Sequence, residues 1–298
     1  KHAVYLALRA LVNPGDEVIL PAPYWVSYIE LIRMVGGVPV VVTATEAEHF
    51  KLSKEKLAAA ITPKTKALIL NNPSNPTGMA YSREELEGIA QVCVENEAYV
   101  ISDEIYYGLL YDGREFTSFA SLSPEAKELT ILINGVSKSY AMTGWRIGYA
   151  AARADVIKGI MAVQSQTTSA TSAISQKAAV EALRGPQHDL EVMVEEFRRR
   201  KDYVVDRLNR IPGITCPDVK GAFYVYPDVQ LYLGKSFGGR KIETAVELCQ
   251  YLLDEALIST VPGEAYNVPG KIRISYSNSM ENLEKALDRM EQALAALH

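Results

Sequence analysis

Residues 134–149 read NGVSKSYAMTGWRIGY, with Lys138 and Arg146 eight positions apart among small, hydroxyl and aromatic side chains. An ammonium group in a stretch that looks half buried needs a partner or a task, because an unpaired buried charge is costly. The stretch begins at the end of the apolar run LTILIN (129–134) and ends in RIGYAAA (146–152), both strand-like. Upstream, EVILPAP (17–23), VPVVVT (38–43), KALILN (66–71) and AYVISD (98–103) read as further strands. Helical patterns lie among them, including KHAVYLALRALV (1–12) before the turn at NPGDE and WVSYIELIRMVGG (25–37), which glycine closes. Near-continuous apolar strands separated by helices predict an α/β fold with a mostly parallel central sheet covered by helices on both faces. Ligands of such sheets bind at the C-terminal ends of the strands.

Beyond SAISQKAAVEALRG (172–185) the texture changes to α+β. A long charged helix spans roughly 190–209, GAFYVYP (221–227) and KIRISYS (271–277) flank a helix near 242–256, and an amphipathic helix runs from 281. Two domains are therefore expected, 1–185 and a smaller C-terminal 186–298. The 298 residues are 48% hydrophobic with a net charge of −5, which argues against nucleic acid or an anionic membrane as main partner. Cys93, Cys216 and Cys249 are widely spaced and lack a CxxC pair, so neither a disulfide framework nor a zinc site is indicated. A soluble, reduced, cytoplasmic setting is expected, with no spanning segment and no cleavable leader. The chain opens on Lys1 inside a helical pattern, so upstream sequence is expected to be missing.

The candidate chemistry sits at strand ends. NNPSNPTG (71–78) holds three asparagines, two prolines and a glycine, a turn that either simply joins two elements or presents Asn75 to a ligand. SDEIYYG (102–108) places Asp103 and Tyr106 after the next strand, where Asp103 either caps a helix or pairs with a buried cation. Lys138 and Arg146 follow the next strand. Together these ends offer an amide, a carboxylate with a phenol, an amine and a guanidinium to one crevice. Pyridoxal 5′-phosphate asks for that set: a carboxylate for its ring nitrogen, donors for its ring hydroxyl, Arg and Ser for its phosphate, and a lysine for its aldehyde.

With these motifs in this order, GVSKSYAMTGWRIG resembles the cofactor-lysine signature of class I/II, fold type I, pyridoxal-phosphate aminotransferases, closest to the bacterial aspartate aminotransferases, and the resemblance covers the whole chain. It implies that Lys138 forms the cofactor Schiff base and moves the substrate Cα proton, and that Asp103 holds the ring nitrogen. Asn75 and Tyr106 would meet the ring hydroxyl, Ser137 and Arg146 the phosphate, and Trp25 one ring face. Arg273 would clamp the substrate α-carboxylate through its planar fork. Lys1 would lie at a helix N-terminus that holds the phosphate and would reach the distal carboxylate of an acidic substrate; a lysine on a solvated helix start is the alternative. Trp25 and Asn75 would also touch substrate.

The activity implied is ping-pong transfer of an amino group from an L-amino acid, aspartate first, to a 2-oxo acid, 2-oxoglutarate first, by a homodimer. Alternatives on the same site are an aromatic or prephenate aminotransferase and a C–S β-lyase; from another class, a sensor domain of a transcription regulator. Two departures stand out. Gly135 replaces a serine common in relatives, and Asn267 stands where glycine is frequent, with positive φ tolerable for Asn. Roughly a hundred N-terminal residues of the family, including phosphate-loop glycines and a tyrosine donated across the dimer, are expected but absent from the sequence.

Overall fold

The computed structural model describes residues 1–298. Its central element is a six-stranded sheet in the order β2-β1-β3-β4-β5-β6, formed by β1 (Glu17–Ala22), β2 (Val38–Thr43), β3 (Thr65–Asn71), β4 (Tyr99–Asp103), β5 (Thr130–Gly135) and β6 (Gly148–Ala151). The first five strands are parallel; β6 returns antiparallel to β5. Period-2 alternation sends each strand's side chains to opposite faces. Val18, Leu20, Ile69 and Ile101 pack under α1 (His2–Leu11), α2 (Ser27–Met34) and α6 (Ala154–Thr167), whereas Ile19, Leu68, Leu70 and Val100 pack under α3 (Lys54–Ala60), α4 (Arg83–Glu95) and α5 (Pro124–Leu129). Each such aliphatic side chain contributes about 1.5–3 kcal/mol when fully buried, and both faces are covered, which is why the strands read as continuous apolar runs.

After α7 (Ala173–Arg184), the 23-residue α8 (His188–Arg210) leads into a smaller unit. This contains a three-stranded sheet, β7 (Tyr224–Val225), β10 (Val261–Pro262) and β11 (Ile272–Ser275), ordered β10-β11-β7, and a hairpin of β8 (Ser236–Phe237) and β9 (Arg240–Lys241). Helices α9 (Ala245–Ala256) and α10 (Met280–Ala295) pack on it, and its core holds Leu248, Leu252, Leu287 and Met290. Tyr106, Leu109 and Tyr111, from the segment after β4, belong to that second core, so the two units share a buried seam.

Register levels the strand ends that matter: Asn71 lies beside Asp103, and Asp103 beside Ile133. The β5–β6 reversal pairs Gly135 with Gly148 and so returns Arg146 toward Lys138. A Cβ on Gly135 would stand 2.7 Å from the Ile147 carbonyl oxygen, so close approach of these two strands explains the glycine. Asn267 adopts φ 65°, the left-handed region expected for it. GAFYVYP forms only two residues of strand. Ala222 at φ 57° keeps the chain from extending earlier, and Pro227 has no N–H to continue the ladder. The helix expected from 242 starts at Ala245, where Thr244 and Glu247 form a capping box.

Candidate active site

The ends of β3, β4 and β5 open into a cavity of about 510 Å³, and Lys1, Trp25, Asn75, Asp103, Tyr106, Ser137, Lys138, Arg146 and Arg273 all line it. All nine residues singled out in the sequence therefore meet in one place, contributed by both units.

Asp103 forms the floor, 6% exposed. Its Oδ2 accepts the Tyr28 hydroxyl at 2.6 Å and its Oδ1 the Ile105 N–H at 3.3 Å. Burial pushes its carboxyl above the ordinary aspartate range, with the Tyr28 hydrogen bond opposing. No lysine or arginine side chain pairs with Asp103, so its charge suits a cation brought by a ligand. Trp25 lies edge-on to Tyr28, ring centroids 5.2 Å apart, and carries the Lys1 ammonium 5.1 Å from its own ring centre. Lys1 and His2 both line the cavity, so α1 aims its N-terminus, with its free N–H groups, into the site.

The Lys138 ammonium faces aromatic rings, 5.3 Å from Phe223 and 5.9 Å from Tyr106. Desolvation lowers its pKa, and the nearby Arg273 and Arg146 guanidinium groups lower it further. A lysine so placed reaches the neutral, nucleophilic amine form more readily than a solvated one. Arg146, exposed and at φ 56°, donates from Nη1 to the Thr143 carbonyl at 2.6 Å and lines the cavity.

Arg273 reaches in from β11. Its Nη1 donates to Asn75 Oδ1 at 3.0 Å, its guanidinium lies 4.5 Å from the Tyr224 ring centre and 5.4 Å from that of Tyr266, and its buried Nε has no hydrogen-bond partner. A buried unsatisfied donor costs stability unless something binds it, and a carboxylate matches a guanidinium edge. Asn75 is held in turn, its N–H donating to Asn71 Oδ1 at 2.9 Å while Asn71 Nδ2 donates to the Asp103 carbonyl at 2.9 Å.

Sequence reasoning passed over Tyr28 and Tyr224. Tyr28 falls at helical spacing from Trp25 and reads as helix core; only the fold brings it to Asp103, 75 residues away. Tyr224 pairs its hydroxyl with that of Tyr106 at 3.0 Å across the seam between the units. Its position on a strand beside Phe223 was the available signal, and it pointed only to a core.

The sequence matches the family model of class I and II aminotransferases over residues 1–290. It is 46% identical over 296 residues to the aspartate aminotransferase of Geobacillus stearothermophilus, covering 99% of this chain and 74% of that one. It is equally 46% identical over 299 residues to the aspartate/prephenate aminotransferase of Cereibacter sphaeroides, covering 100% of this chain and 75% of the relative. The fold superposes on the crystal structure of the aspartate aminotransferase from Rhizobium meliloti with a TM-score of 0.96 at 43% identity, over 100% of this chain and 75% of that one. Sequence and backbone agree along nearly the whole length, and the chain belongs to the class I and II aminotransferases, a pyridoxal-phosphate-dependent family.

Proposed function

We propose that the cavity holds pyridoxal 5′-phosphate and transfers the amino group of L-aspartate to 2-oxoglutarate by a ping-pong cycle. The observation that carries this reading is complementary charge without side-chain counter-ions: a buried carboxylate lacking a side-chain cation, a lysine amine lacking an anion, and an arginine with an unmet buried Nε, all on one cavity. That donor set fits the cofactor. When bound, the cofactor supplies a sink for the electron pair of the substrate Cα–H bond. Asp103 would keep a proton at the ring nitrogen. Asn75 and Tyr106 would orient the ring through its hydroxyl, Trp25 would cover one face, and Ser137, Arg146 and the α1 N-terminus would hold the phosphate. Lys138 Nζ would supply the amine that meets the cofactor aldehyde and the base that moves the proton at the substrate Cα. Arg273, steadied by Asn75, would bind the substrate α-carboxylate and so fix which Cα bond faces Lys138. Lys1, on the same wall as Trp25, would meet a distal carboxylate.

The same reading divides the chain into a cofactor unit, 1–185, and a smaller unit, 186–298, that brings Arg273. A cytoplasmic homodimer belongs to it as well. The three cysteines are free and buried, no helix is long and apolar enough to cross a membrane, and α6 and α7 expose Met161, Ile174 and Val180. Prephenate is the second amino-acceptor to consider, because a relative of equal identity is named for both substrates. Initial rates with aspartate and either 2-oxoglutarate or prephenate decide between them. With 2-oxoglutarate kcat/KM should be the higher, and phenylalanine and alanine should be poorer donors than aspartate. A donor preference for phenylalanine or alanine over aspartate would refute the acidic substrate.

A further inference from the structure

Two residues before Arg273, at the bridge that leads into β11, stands a second cation. Lys271 is 6% exposed, and its Nζ ion-pairs with Glu46 and, at 3.0 Å, with Asp228. Asp228 belongs to the smaller unit, where it bridges Lys271 in antiparallel fashion. Glu46 does not: it lies in a short 3-10 turn, Glu46–Glu48, directly after β2, the edge strand of the large sheet. The Lys271–Glu46 pair therefore ties the strand carrying Arg273 to the opposite unit, across 225 residues of chain.

The loop that supplies Glu46 is itself held firmly. Thr45 and Glu48 form a capping box, and Lys56 grips Glu48 Oε2 at 2.7 Å and the Thr43 carbonyl at 2.9 Å. His49 and Phe50 take φ of 53° and 54°, a strained choice for such side chains that persists where surroundings enforce it. It sends Phe50 beneath Lys271, 5.3 Å from the ammonium, and edge-on to Tyr226 at 5.7 Å. Tyr226 meets Tyr266 at 5.9 Å, the ring on which the Arg273 guanidinium rests. The Lys271 carbonyl also accepts the Gly263 N–H at 2.7 Å, anchoring the turn that holds Tyr266. The ionic contact reaches Lys271, two residues from Arg273, and the aromatic one reaches the Tyr266 ring beside its guanidinium.

We propose that Lys271, through its pair with Glu46, is a positioning residue for Arg273: it docks β11 on the loop after β2 and so sets where the guanidinium stands in the cavity. This rests on the reading of Arg273 as the carboxylate clamp. A directional ion pair suits the task, since losing one partner leaves a buried charge half satisfied and frees the strand to shift, and a guanidinium moved off its two-point geometry holds a carboxylate less tightly.

The test uses the holoenzyme and the variants Glu46→Gln, Lys271→Met and Lys271→Arg, with Arg273→Lys as reference. Glu46→Gln is the gentle variant, because Lys271 keeps Asp228. The readouts are KM and kcat for the amino acid, the dissociation constant of succinate as an inert dicarboxylate, and the absorbance spectrum of the bound cofactor. Positioning predicts that Glu46→Gln and Lys271→Met raise KM and the succinate dissociation constant by roughly tenfold. It also predicts kcat within about threefold, an unchanged cofactor spectrum and substantial rescue by Lys271→Arg. Unchanged succinate binding in a folded Glu46→Gln variant, with Arg273→Lys weakened, would overturn the docking role and leave the clamp standing. Unchanged binding in Arg273→Lys itself would overturn both.

Discussion

At the residue scale, the site is a set of charges arranged for something the chain does not itself contain. Lys138 faces rings and guanidinium groups, and Asp103 is buried beside a phenol, so each is held in a state that folding alone would not favour. For Asp103 the sign follows from linkage. Its folded pKa is raised above the ordinary 3.8, so its contribution to stability is full below that value and is lost as the pH rises through the folded one. Asp103→Asn is therefore expected to raise the melting temperature of the cofactor-free protein by a few degrees at neutral pH, the gap narrowing as the pH falls toward 3.8. It should also nearly abolish transamination, because an amide does not hold a proton on the ring nitrogen. Thermal unfolding of both proteins across that pH range checks the first part, and an asparagine variant less stable throughout would contradict it.

At the scale of elements, what was legible in the sequence was whatever depends on local pattern. The inner strands β1, β3, β4 and β5 stood out because burial on both faces makes each a continuous apolar run, and β2 and β6, less buried, stood out by their β-branched and small apolar residues. Asn75, Asp103, Tyr106, Lys138 and Arg146 stood out because they follow those runs, whereas Lys1, Trp25, Ser137 and Arg273 were legible only through the family resemblance. What depends on distant parts of the chain was not legible: the Tyr28 bond to Asp103, the Tyr106–Tyr224 pair and the Lys271–Glu46 dock each join residues far apart in sequence. Gly78 marks the limit. Its sequence context says turn, and its φ of 68° agrees, but only the fold shows the Tyr224 carbonyl oxygen 2.7 Å from where a Cβ would stand. Gly78 also accepts the N–H groups of Lys220 and Gly221 at 2.8 Å, so this turn seats the smaller unit beside Asn75. Gly78→Ala should cost more than about 1 kcal/mol of stability, since it combines strained φ with a backbone clash. Denaturant titration measures that loss, and a neutral substitution would show that the seam is looser than described.

At the scale of the whole molecule, the cavity exists because two bodies meet. The parallel sheet brings Asn75, Asp103 and Lys138 to its strand ends, and the smaller unit closes the space with Tyr224 and Arg273. On the proposed function the first group would handle the cofactor ring and the second would orient the substrate, so chemistry and specificity would sit on either side of that seam. The most direct test is the absorbance of the purified protein loaded with pyridoxal phosphate, recorded before and after adding L-aspartate without an oxo acid. The account predicts that the band of the lysine-bound cofactor gives way to that of the aminated form, and that Lys138→Ala shows neither the band nor the change. A wild-type band that aspartate leaves untouched would contradict the acidic-substrate assignment, and a normal band in Lys138→Ala would contradict the lysine at the centre of it.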